Sequence, residues 1–281
     1  MVAIHRYERG LSLFILFSII ISLSCGDFIV ESKWCAGKLE VDGNDTEWRD
    51  AKIYFEGEKY TIGVKNDSTF LYVLLATQDK QLQMQILHFG FIVSFGPAGE
   101  RKKSFGIRFP LENKKQDFPL TRIAKGKDTK LPVPDLRFAN RGLEILQLRK
   151  MLGKKHTFTR YMLTAQAKQY GIESRVALHS KELIYELKVP LRTDEQFKYA
   201  LNPGSDSGVA VFFETPEMEF DNVVPGKPRG LPGHGMLPPG GMIGGGMGYD
   251  GMRRSNMRPY TNKPTPVKIR QWVTVRIAVG E

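Results

Sequence analysis

Apolar and polar positions alternate with a period of two through several short stretches of this chain. Tyr60, Ile62 and Val64 interleave with Thr61, Gly63 and Lys65, the pattern of a half-buried strand. Phe70 to Ala76 is apolar on both faces, which predicts a central strand with protein on either side. Leu183, Tyr185, Leu187 and Val189 point one way and Glu186 and Lys188 the other, and that strand stops at Pro190. Phe89 to Phe95 and Ser104 to Phe109 read as a hairpin turning on Gly96-Pro97-Ala98-Gly99. Ile172 to Leu178, Gly208 to Glu214 and Gln271 to Val279 are further strands. In the last, Val273, Val275, Ile277 and Val279 share one face, while Trp272, Thr274 and Arg276 share the other. Lys38 to Thr77 adds a strand before an Asp42-Gly43 turn, and Gln78 to Leu87 a short helical turn or an irregular excursion. Leu143 to Leu148 fits strand and helix alike. The expected fold is all-β: a two-sheet antiparallel sandwich, jelly-roll or immunoglobulin-like, with long loop insertions.

Two insertions interrupt that pattern, both within a sandwich domain expected over 38–281. Residues 111–160 are basic and broken by Pro119, Pro132 and Pro134. Residues 225–266 are rich in Gly, Pro and Met, a composition that supplies little to bury. The formal net charge is +11, and it is local. Between Glu100 and Arg160 there are 17 Lys or Arg against 6 Asp or Glu. A block of one sign favours anionic partners, here an envelope polymer or lipid headgroups. Aromatic residues are not interleaved with it as in a nucleic-acid stacking platform, so nucleic acid is not an expected partner.

The first residues have the composition of a secretory signal, 1–24. Arg6 and Arg9 precede a 13-residue apolar run, Leu11 to Leu23, too short for a comfortable membrane span. Ser22-Leu23-Ser24-Cys25 resembles the lipobox of bacterial lipoproteins, although Leu stands two places before the Cys rather than three. That resemblance implies lipidation at Cys25, a tether over 25–37 and a location in the cell envelope, periplasmic or outer-membrane. Ordinary cleavage and an uncleaved anchor remain as alternatives. With only two cysteines, Cys25 and Cys35, no disulfide framework holds the fold. If Cys25 is lipidated, Cys35 is a lone packed thiol beside Trp34. Otherwise a short local bridge would join the two.

Val41-Asp42-Gly43, Glu47-Trp48, the run from Tyr60 to Asp67 and Leu71 to Asp79 together resemble the N-terminal half of family nine-like carbohydrate-binding modules and DOMON-like sandwiches. Tyr185 to Leu191 resembles their later half. The resemblance implies a non-catalytic envelope module that binds a glycan or another surface ligand. The runner-up it implies is a haem- or copper-handling periplasmic domain, and a third reading is a structural or adhesion module. Family-nine modules hold sugar between two tryptophans. Where the first would fall, this chain has Gln78 to Leu87, with no Trp.

Enzyme motifs are missing. The five histidines (His5, His88, His156, His179, His234) show no metal-protease spacing, and there is no nucleophile elbow or phosphate loop. Asp194-Glu195 and Glu214, Glu217, Glu219 and Asp221 read as solvated carboxylates or, at most, a structural calcium site. A stacking sugar needs an outward indole, which the alternation assigns to Trp272, with Arg276 beside it. Trp48 reads as structural. Met236, Met242, Met247, Met252 and Met257 form a soft-metal pattern that would suit copper, or haem through a thioether. No cofactor is required by the sequence.

Labelling with a palmitate analogue should mark the wild-type protein and leave Cys25→Ser unmarked. Equal labelling of the two, or of neither, contradicts the lipidation at Cys25.

Overall fold

A strand whose two faces are both apolar must be covered twice, and that requirement organises one of the two sheets. The computed structural model describes residues 28–55, 57–111, 136–151, 154–204, 208–217 and 266–280. The strands are β1 (Ile29–Glu31), β2 (Lys33–Trp34), β3 (Lys52–Tyr54), β4 (Thr61–Asn66) and β5 (Phe70–Thr77), then β6 (Phe91–Pro97), β7 (Phe105–Phe109), β8 (Gly142–Met151) and β9 (Lys154–Leu163), and finally β10 (Glu173–His179), β11 (Glu182–Pro190), β12 (Gly208–Glu214) and β13 (Arg270–Arg276). Helix α1 (Lys80–Phe89) joins β5 to β6, α2 (Leu136–Ala139) precedes β8, and α3 (Thr164–Gln169) follows β9. A seven-stranded sheet runs β1-β13-β12-β6-β7-β8-β9, and a second runs β10-β11-β5-β4-β2 with β3 paired to β4. The fold is an all-β sandwich. Its ladders are antiparallel except β1 on β13 and β2 on β4, which are parallel, so both sheets are mixed.

Between the sheets, Tyr185 of β11 sits against Phe91 and Phe109 at 5.6 and 5.8 Å between ring centroids. Val64, Val73, Leu187, Ile107, Phe213 and Val275 complete this core. A second apolar cluster lies on the far side of the smaller sheet, where Tyr72, Leu74, Ala76 and Ile184 are covered by Leu39, Trp48 and Ala51. β5 is accordingly buried along nearly its whole length, as its composition predicts.

That second layer changes three expectations. β4 is buried on both faces rather than half-buried, because Trp48 lies over Gly63 so closely that an added Cβ would come within 2.8 Å of its ring. Lys38 to Val41 is not a strand. The chain runs irregularly to a 3-10 turn at Thr46–Trp48, since its work is to cover the sheet rather than extend it. Glu186 and Lys188, which face away from the main core as expected, are nonetheless buried. Lys188 Nζ is 2.7 Å from Glu173 and 4.0 Å over the Phe70 ring. Burial alone would raise the Glu173 carboxyl, but hydrogen bonds from Lys188 and Lys168 outweigh it and hold Glu173 below its ordinary range.

Other differences are local. The basic stretch 111–160, expected as a long loop insertion, supplies β8 and most of β9. Its many Lys and Arg hide a run of strand-forming Thr157, Phe158, Thr159 and Tyr161. The expected tether supplies β1 and β2, anchored by buried Val30. α1 is a full helix of ten residues, capped by Asp79 accepting from Leu82 N at 2.8 Å. β13 ends at Arg276, leaving Ile277 partly buried and Val279 exposed rather than inward. Cys35 is a free thiol at the margin of the second cluster; Cys25 lies outside the described residues.

Glu186 is the charge at the centre of the covering layer. Its Oε1 accepts from Trp48 Nε1 at 2.7 Å and its Oε2 from the Gly43 amide at 2.6 Å. Gly43 has φ +83 and no room for a side chain, a Cβ there falling 2.4 Å from that of Ala177. Burial pushes the Glu186 carboxyl up to about 7, against the downward pull of these two hydrogen bonds. The folded value thus exceeds the ordinary 4.5. Its contribution to stability is complete below the unfolded value and is lost as pH rises through the folded one. Relative to Glu186→Gln, the wild type should lose up to about 1.4 kcal/mol of stability per pH unit across that window, then level off. Urea denaturation of both proteins over a pH series measures this. A pH-independent difference would contradict it.

Candidate functional site

On the seven-stranded sheet, alternation sends Val209, Val211 and Phe213 of β12 inward and Ala210, Phe212 and Glu214 outward. β13 follows the same rule, with Val273 and Val275 buried and Trp272 on the outer face. The register sets Phe212 opposite Trp272 and Glu214 opposite Arg270. The two rings meet at 4.6 Å between centroids and 32° between planes. Phe212 is buried and Trp272 half-buried.

A cation completes this pair from an unexpected place. The β6–β7 connection folds back onto the outer face, where the Lys102 carbonyl lies 1.8 Å from the position a Cβ on Gly96 would take. Only glycine allows that approach. The fold-back brings Lys103 Nζ to 4.3 Å from the Phe212 ring centre and 2.5 Å from Glu214 Oε1. Gly99, Glu100 and Arg101 of the same connection flank Trp272.

Arg276 does not join this group. It stands four residues from Trp272 along β13, about 13 Å at strand rise, opposite Gly208, and faces Glu31 at 3.9 Å. Phe212 and Lys103 carry no mark of this role in the sequence, and Glu214, expected as a solvated carboxylate or calcium ligand, is instead largely buried and paired with Lys103. The alternation of Gly208 to Glu214 could have placed Phe212 outward, but nothing local marks Lys103.

Next to the aromatic pair, one row along the sheet, lies a cleft of about 460 Å³. Its floor is the outward row Arg270, Glu214, Ile92 and Arg108, neighbours in register across four strands. One wall is Gln85 of α1, whose side-chain amide bonds Val267 in both directions, donating to its carbonyl at 3.0 Å and accepting from its N–H at 3.2 Å. Thr215 ties the other wall, donating to the Val267 carbonyl at 3.1 Å and accepting from Ile269 N at 3.1 Å. Most of the charges are already paired: Arg108 with Glu144 at 3.6 Å, Arg270 with Glu217 at 3.6 Å, and Glu214 with Lys103. Such a surface offers fixed donors and acceptors beside an apolar ring face. That combination suits a polyhydroxylated ligand.

The remaining candidates fall elsewhere. Met236, Met242, Met247, Met252 and Met257 lie outside the described residues, as do Glu219, Asp221, His5 and His234. Asp194 closes a local turn, accepting from Gln196 N and Phe197 N. Among the described residues no group of three or more His, Cys, Asp or Glu is placed to hold a metal ion. Trp48 is wholly buried, as expected of a structural residue, and Trp34 is partly exposed beside Gly280.

No protein-family model matches this chain, and no curated protein matches it. Among solved structures it is similar to a family 9 carbohydrate-binding module from Caldicellulosiruptor kristjanssonii in complex with glucose. The identity is 11%, 67% of this chain and 78% of that chain are covered, and the TM-score is 0.30. So distant a likeness carries no argument about ligand.

Because Trp272 is only half-buried, Trp272→Ala should cost about 1–2 kcal/mol, from a lost ring pair and partial burial. Phe213→Ala, one residue along β12 from Phe212 and fully buried, should cost about 3–5 kcal/mol. Equal losses in denaturant titrations would mark Trp272 as a core residue.

Proposed function

We propose that this chain is a non-catalytic binding module of the cell envelope that takes a glycan on the outer face of its seven-stranded sheet. One observation carries the reading: an outward Trp272, backed by Phe212, stands one row from a cleft with fixed polar walls. A sugar ring stacks its apolar face on an indole while its hydroxyls need directed donors and acceptors. Trp272 supplies the first, and Arg270 and Glu214 the second. Both carboxylates lining the cleft stand beside a cation, Glu214 by Lys103 and Glu217 by Arg270. This favours binding over acid–base chemistry, which needs a carboxylate with freedom to take up and release a proton. Lipidation at Cys25 would hold such a module at the membrane.

Affinity electrophoresis through gels containing neutral and acidic polysaccharides tests the proposal. At least one polysaccharide should retard the wild type, and Trp272→Ala should run unretarded while keeping its fold. Should none retard the wild type, or should the variant be retarded equally, glycan binding at this face is wrong.

A further inference from the structure

Among the described residues β9 is the last strand of its sheet, and its outer edge has unusual properties. Natural sheets protect their edges with short strands, proline, bulges, a covering segment or charged side chains, lysine above all. β9 has ten residues and no proline. Its register with β8 runs unbroken from Gly142↔Leu163 to Met151↔Lys154, with no bulge. From His156 to Tyr161 every residue is exposed, and Tyr161 and Leu163 are 63% and 57% exposed. Among the described residues no strand pairs beyond it. The opposite edge strand, β1, has three residues.

What β9 does carry is charge of one sign. Lys154, Lys155 and Arg160 lie on it without an acid, and Arg149 and Lys150 stand opposite His156 and Lys155 on β8. The one acid of the hairpin, Glu144, is buried and faces Arg108. Arg160 is held at the edge by donating to Tyr199 Oη at 3.0 Å, with its guanidinium 5.9 Å from the Tyr170 ring centre. An edge so charged repels a second copy of itself, because antiparallel pairing would set cation near cation. It attracts a strand of the opposite sign.

We propose that the free edge of β9 is a docking strand for an extended acidic segment of a partner protein, which joins the sheet by strand addition. The backbone row supplies the pairing, and alternate side chains of the incoming strand meet Thr157, Thr159 and Tyr161 on one face and Arg160 on the other. A lipid headgroup would use the charge but not the backbone row, so the length and regularity of the edge favour a peptide. This site is independent of the glycan-binding face.

The test uses the full chain and a labelled peptide alternating glutamate with valine, followed by fluorescence anisotropy. Controls are the same peptide with lysine for glutamate, and one of equal negative charge interrupted by prolines. The acidic strand peptide should bind, neither control should, and backbone amides of residues 157–161 should exchange more slowly in its presence. The double variant Thr157→Glu, Thr159→Glu should weaken binding at least tenfold at unchanged melting temperature. The slowed exchange, read on the wild type alone, serves the same purpose if that variant does not fold. Absence of binding, equal binding of the proline-interrupted peptide, or binding without slowed exchange at β9 would overturn the proposal. So would concentration-dependent self-association through this edge, or binding to phosphatidylglycerol vesicles that the peptide does not displace.

Discussion

A carboxylate with no exposed surface holds the covering layer of this protein in place. The outer face of the smaller sheet presents Tyr72, Leu74, Ala76 and Ile184, which would lie against water if nothing covered them. The segment that covers them has little regular structure, so its own polar groups need partners at a distance. Glu186 takes two of these, the Trp48 indole N–H and the Gly43 amide, and Lys52 pairs with Asp45 nearby. A buried carboxylate is costly unless its oxygens are satisfied. Here each accepts a hydrogen bond, and the segment is pinned as a result. Gly43 and Gly63 supply the clearance that lets it lie so close.

This divides the labour between the sheets. In the smaller one β4, β5 and β11 are buried on both faces, and that outer surface is committed to structure. The larger one shares a core with it, and its outer face carries the cleft and aromatic pair of the proposed ligand site. Even there most charges are spoken for, and the Lys103–Glu214 and Arg108–Glu144 pairs present fixed dipoles rather than free charges. A ligand meeting such a surface finds its hydrogen-bond geometry already set, which lowers the ordering cost on the protein side.

Much of this could be read from the chain alone, and the failures share a cause. β11, β12 and β13 followed from local alternation and β5 from an unbroken apolar run, because the residues that mark them lie on the same strand. The outward side of Trp272 followed for the same reason. Glu186 and Lys188 read as solvent-facing because charge usually is, and their burial depends on Trp48, Gly43, Phe70 and Glu173, all far away or on another strand. Gly43 and Glu186 are 143 residues apart. Lys103 reached the aromatic pair through the fold-back over Gly96, which no periodicity records. β9 stayed hidden because its Lys and Arg dominated its composition, while the alternating Thr, Phe and Tyr between them carried the strand signal.

The parallel pairing of β1 with β13 has a mechanical meaning. Ile29, Val30 and Glu31 lie beside Thr274, Val275 and Arg276, and Ser32 continues the join. Its hydroxyl donates to Asn66 Oδ1 at 2.5 Å and accepts from Ala278 N at 2.9 Å, while Asn66 Nδ2 donates to the Ala278 carbonyl at 2.9 Å. The chain therefore enters the sandwich alongside the strand that bears Trp272. Tension applied from the N-terminal side runs along the β1–β13 ladder and loads its hydrogen bonds together, in shear, rather than peeling them one at a time. The Ser32–Asn66–Ala278 clasp shares that load with the second sheet. A weight hung on Trp272 would be borne by the strand next to the point of attachment, with the rest of the sandwich largely out of the line of force.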